Sequence, residues 1–477
     1  MRLAFALAVV VALAVGSAAS AATYYVAAKV PGASDDNPGT QAQPWRTLVK
    51  AAASVRPGDT VLVHEGRYAE SVRIAVPGTA QAPITFAAFG DDAVVLDGAD
   101  ERSPDQWTPV EGLQKVFATP LERDPGHIFV DGKPVYMKLD QVEKFSWRLG
   151  TLSDDDERLW QFDRENGRLL LNLGEGNPAV GHRIEVPTRA LGFELNTHCR
   201  LRGLYVTRFT SVGIEMGEDS VAEDCLVTDC GNGIRVAGWH RRGAVIRRNT
   251  VLGCLVNGIF LQDRPTVCRV EENLVMRCSL NPWHEVLWAG SVKMNSASDT
   301  VFAHNVVLEA GNPNTINGWD GWALWGDINV LRIAYLGNTC AYNEEAGIYV
   351  EFAMDDTRAY FNTSYKDGHG ITCRASQRGV FMHNYVQSAR SSGLAVWDAS
   401  EPFRTVDNVF AHNLVRDCWP SLRLQVEHPQ LCDYNAYWPP EGAPLADGEK
   451  GHVYATLSNL REGTGHEMHG EARDAQP

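Results

Sequence analysis

The chain has no surplus of positive charge: 43 Lys and Arg stand against 59 Asp and Glu, a formal charge of −16. A main partner such as nucleic acid or an anionic membrane surface needs the opposite balance, so both are excluded in that role. A polysaccharide is not, because a local basic pocket can coexist with an acidic surface. The sequence also lacks any CxxC pair or Cys/His cluster with zinc-ligand spacing. Beyond residue 21 it lacks an apolar run long enough to cross a bilayer. Few stretches carry a helical period.

What is there begins with an address. Residues 1–21 run from Arg2 through LAFALAVVVALAV to the small residues Ala19, Ser20 and Ala21, the order of a secretory signal with cleavage before Ala22. The mature protein is expected in the periplasm or outside the cell, free of the membrane. With 477 residues and 44% hydrophobic content it can bury a large core. Ten cysteines in an exported chain raise the question of disulfides. However, Cys225, Cys230, Cys254, Cys278 and Cys418 recur at repeat-related positions and are read as small buried residues stacked along a core.

The repeat decides the architecture. Segments such as RRNTVLGC, EENLVMRC, AHNVVLEA and AHNLVRDC align Cys225, Asn249, Asn273, Asn305, Asn338, Asn362, Asn384 and Asn413, with steps of 24, 24, 32, 33, 24, 22 and 29 residues; Asn435 follows after 22. A Gly followed by Ile or Leu recurs upstream, as at Gly258-Ile259 and Gly347-Ile348, among short β-branched pieces. This pattern predicts an all-β, single-stranded right-handed parallel β-helix whose asparagines stack inside at a bend and bond its turn amides. A leucine-rich repeat would show a helical half, and a propeller blade needs roughly 40 to 45 residues. The two long steps insert SLNPWHEVLWAGSVK and EAGNPNTINGWDGWALWGD, Trp-rich loops expected to wall a cleft.

Residues 22–103 hold the N-terminal cap and first coils. There Asp36-Asn37-Pro38-Gly39-Thr40, then Pro44-Trp45, a short helix over 47–55 and the turn Pro57-Gly58-Asp59-Thr60 resemble the opening segment of many exported parallel β-helix proteins that act on polysaccharides. Residues 104–187 read as a β-rich insertion, 188–440 as the main β-helix and 441–477 as a C-terminal cap and polar tail.

Chemistry centres on Asp327 and Glu351, each eleven residues before its asparagine and therefore neighbours on adjacent strands, about 4.8 Å apart. Carboxyl groups about 5 to 5.5 Å apart suit a retaining glycosidase, whereas inversion needs roughly 6.5 to 9.5 Å. Their repulsion raises one pKa and keeps that group protonated. An Asp beside Trp325-Gly326, followed one coil later by Glu in Gly347-Ile348-Tyr349-Val350-Glu351, resembles the β-xylosidase-type glycoside hydrolases of the parallel β-helix, pectate-lyase-like fold. That resemblance implies Asp327 as nucleophile and Glu351 as acid/base.

Trp283, Trp322, Trp325 and Trp397 are candidate sugar platforms, with Trp288 and Trp319 also in the loops; His284 and Glu285 are candidates for orienting the acid or binding a hydroxyl. No cofactor is required by this reading; Asp355-Asp356 is the one candidate for Ca²⁺. The rival reading is a polysaccharide lyase, in which Lys293 or Arg374, close to the same register, serves as base or neutralises a uronate. A non-catalytic carbohydrate-binding β-helix is the third. The sugar, its linkage and the oligomeric state are left open.

Overall fold

A computed structural model describes residues 21–143, 146–174, 176–280, 289–311, 321–399, 404–426, 430–448 and 451–473. Three sheets of 13 strands each run the length of a parallel β-helix. Each coil gives one strand to each sheet. We call sheet I the one containing Trp322–Asp327, sheet II the one containing Ala334–Leu336, and sheet III the one containing Thr339–Ala341.

The asparagine period becomes a hydrogen-bonded ladder at the bend between sheets II and III. Asn249, Asn273, Asn305, Asn338, Asn362, Asn384, Asn413 and Asn435 are nearly fully buried. At Asn338 the side-chain oxygen accepts from the backbone and side chain of Asn305, both at 3.0 Å. Its own N–H and Nδ2 donate to Asn362 Oδ1 at 2.9 and 3.0 Å, and Nδ2 also reaches the Phe302 carbonyl at 2.9 Å. The residue before each is left-handed, as at Phe361 (φ 59°) and His412 (φ 54°). A bend that tight breaks strand pairing, and the amide side chain supplies the bonds the backbone loses.

Between the three sheets lies one continuous apolar core from Val26 to Leu460. All ten cysteines are buried in it as free thiols. The N-terminal end is closed by α1 (Leu48–Ser54), whose N-cap Thr47 accepts from the Lys50 amide. Gly39 (φ 80°) lies so close under the Trp45 ring that a Cβ would sit 2.6 Å from it. The far end is closed by short strands and a helix. Ala446–Asp447 and Glu471–Ala472 add strands to sheets I and III, and α2 (Leu457–Thr464) buries Leu460. Those strands are two residues long, too short for any period to register.

Between Ala99 and Pro187 the chain builds an eight-stranded sheet that leaves the helix after sheet III and returns before sheet I. Its root strands, Ala99–Arg102 and Ile184–Pro187, are tied to the coils by buried charges. Arg208 pairs with Asp97 and, at 2.9 Å, with Glu185, while Arg67 reaches Asp97 at 2.6 Å. The long steps after Cys278 and Ala310 fall between sheets III and I, the same junction at which the eight-stranded sheet departs.

Candidate active site

Alternation along a strand sends Leu324, Ile348 and Val350 into the core and Trp325, Asp327, Tyr349 and Glu351 to the outer face of sheet I. Strands Trp322–Asp327 and Ala346–Glu351 pair in parallel with Gly326 beside Val350. One step further along this register Asp327 and Glu351, the last residues of their strands, stand side by side. Glu351 pairs in turn with Arg374, and Arg374 with Trp397. The next strand on the other side, Gly290–Asn295, sets Lys293 beside Trp325.

Although outward-facing, these groups are shielded: Lys293 and Asp327 are each 3% exposed and Glu351 5%. The charges are arranged cation, anion, anion, cation. Lys293 Nζ lies 3.0 Å from Asp327 Oδ2 and 3.6 Å from the centre of the Trp325 ring. Arg374 Nη1 donates to Glu351 Oε1 at 2.6 Å. Burial pulls the Lys293 ammonium below the usual lysine range, and its attraction to Asp327 does not fully restore it. Burial pushes the Glu351 carboxyl above the usual range. Tyr349 and Arg374 oppose that shift, and the charge of Asp327 adds to it. Such an array can keep the Glu351 carboxyl protonated to a higher pH than an ordinary glutamate.

Trp322, Trp325 and Tyr349 form an aromatic wall on this face. Trp322 stacks on Tyr349 at 4.1 Å, and Trp322 and Trp325 lie 5.5 Å apart. Two buried polar atoms of the face, Trp325 Nε1 and Thr372 Oγ1, have no hydrogen-bond partner among the described residues. Trp397 lies against the edge of His369, 5.4 Å away. Burial lowers the pKa of that histidine to about 4, so its ring is neutral at pH 7.

The structure thus brings together Asp327, Glu351, Lys293, Arg374, Trp322, Trp325 and Trp397. Trp283, His284, Glu285, Trp288 and Trp319 lie outside the described residues. Asp355 and Asp356 are engaged by Arg378 at 2.7 Å and Arg358 at 2.8 Å. Among the described residues no group of three or more His, Cys, Asp or Glu is gathered as a metal site. Tyr349 and His369 escaped the sequence reading. For Tyr349 the signal was there, since the alternation in Gly347-Ile348-Tyr349-Val350-Glu351 puts it on the face of Glu351.

Residues 30–83 match the family model described as "Protein of unknown function (DUF1565)". The uncharacterized protein YwoF of Bacillus subtilis (strain 168) is 36% identical over 80 residues, a match spanning 17% of each chain. The structure of XylC in complex with xylose superposes with a TM-score of 0.57 at 15% identity, covering 90% of this chain and 86% of that one. A structure described as a glycoside hydrolase gives 0.48 at 12% identity, covering 94% and 99%, and that of pectate lyase Pel9A gives 0.43 at 13%, covering 80% and 77%. At these identities the likeness is one of fold, and with XylC it extends over nine tenths of this chain.

Proposed function

We propose that this chain is an exported glycoside hydrolase acting on a polysaccharide or its oligosaccharides by a retaining mechanism. The observation that carries the reading is the pair of shielded carboxylates, Asp327 and Glu351, at the ends of adjacent strands. In the first step Asp327 attacks the anomeric carbon while Glu351 gives its proton to the departing glycosidic oxygen. In the second, Glu351 takes a proton from water, whose oxygen displaces Asp327 from the sugar. Lys293 stands 3.0 Å from Asp327 as its counter-ion, and burial favours the protonated form of Glu351, the state the first step needs of its acid. Trp325 Nε1 and Thr372 Oγ1, without a partner among the described residues, suit a ligand rich in hydroxyls. The likeness to a xylose-bound protein makes xylosides the first substrates to try. The segment at residues 1–21 supports export.

A second reading rests on Lys293, whose proton affinity is lowered by burial, as the base of a uronate lyase. One experiment separates the two. A panel of xylo-oligosaccharides and uronate polymers is incubated with wild type, Asp327→Asn and Glu351→Gln, following reducing ends and ultraviolet absorbance together. Hydrolysis gives reducing ends without unsaturated product, lost at least ~10³-fold in both variants. Unsaturated product, or activity surviving both substitutions, would move the chemistry to Lys293 or Arg374. Silence on every glycan would leave a binding protein.

A further inference from the structure

The catalytic candidates occupy one edge of sheet I, the C-terminal ends of its strands. Near the N-terminal end of the solenoid the same edge holds a cavity of about 200 Å³ lined by Arg73, Glu194, Asn196, Glu218 and Arg241, among others. These residues close or follow the strands Val72–Arg73, Leu191–Glu194, Val212–Met216 and Asn232–Val236. Four strand steps separate Val212–Met216 from Trp322–Asp327, roughly 19 Å at ~4.8 Å per step.

The charges of the cavity are balanced within it and beside it. Arg73 lies 3.3 Å from Glu194, and Arg241 donates to the Met216 carbonyl and lies 3.9 Å from Glu215, which Arg235 holds at 2.7 Å. Glu194 and Glu218 line the cavity with Arg73 and Arg241, so an anionic sugar gains no net attraction here. A neutral polyhydroxy ligand finds carboxylate acceptors beside guanidinium and amide donors, the mixture that fixes hydroxyl pairs. Two residues before Arg241, Trp239 stands 68% exposed, with Arg264 stacked 4.5 Å from its ring centre. Cation stacking holds the indole in place while leaving it open to solvent.

We infer that this cavity and Trp239 form a distal subsite for a neutral oligosaccharide, gripping a chain whose far end lies at Asp327 and Glu351. The inference rests on the glycosidase reading, and it makes the substrate a neutral chain several sugars long. The test compares xylobiose with xylohexaose for wild type, Trp239→Ala and Glu218→Gln. Both variants should lose about tenfold in kcat/KM on the hexamer, the scale of one aromatic anchor, and stay within about twofold of wild type on the dimer. Equal losses on both lengths, or none on either, would overturn it. Titration of the same proteins with xylohexaose, read by tryptophan fluorescence, separates this from failure of the catalytic reading. Weaker binding by both variants sustains the subsite even where no bond is cleaved. Unchanged affinity, or no binding by wild type, removes it.

Discussion

Asp367 ends a short second ladder beside the sheet that carries the site. It accepts from the backbone and side chain of Asn343 at 2.9 and 2.7 Å and from Ser364 at 2.6 Å. Burial nevertheless pushes its pKa from 3.8 up to about 6, the three hydrogen bonds only partly opposing the shift. Between those values the folded protein binds more protons than the unfolded chain. The stabilisation is therefore complete below pH 3.8 and lost as pH rises through about 6. Asp367→Asn keeps the oxygen that Asn343 bonds and removes the charge. Melting temperature followed from pH 4 to 8 should fall less with rising pH in the variant than in wild type; a parallel fall would show that Asp367 is not the group responsible.

The bend ladder makes its prediction at the scale of a coil. Asn338→Ala leaves two donors of Asn305 and the Phe302 carbonyl without their bonds, in a place water does not reach. We expect a loss of about 3 kcal/mol in urea unfolding, several times that of an alanine substitution on the outer face. This element was legible from the sequence because one asparagine per coil is a period, and a period survives without tertiary information. The same marks placed Asp327 and Glu351 side by side, since both are counted from a ladder asparagine. The counter-ions were less legible. Lys293 sits opposite Trp325 rather than Asp327 and reaches the carboxylate diagonally, which depends on side-chain length and on the turn that follows the strand. The short strands that end the solenoid carried no signal of their own, because they form only against coils already in place.

At the scale of the molecule, a solenoid is stable only if both ends are closed. Here the ladder ends on Glu467, which accepts from Asn435 Nδ2 at 2.7 Å and from the Tyr437 hydroxyl at 2.7 Å. Removal of everything after Pro440 leaves these donors and two sheet edges uncovered. The truncated protein should elute as oligomers in size-exclusion chromatography at concentrations where the intact chain does not. The ten thiols have a different consequence. They are spread from Cys199 to Cys432, none is paired, and burial holds Cys225, Cys230, Cys268 and Cys418 up at about 12. An alkylating reagent in solution is therefore blind to the closed solenoid and sees a given cysteine only while its own turn gapes. Spaced along the axis as they are, these sulfurs work like tally marks on a spring, recording which winding let go and in what order.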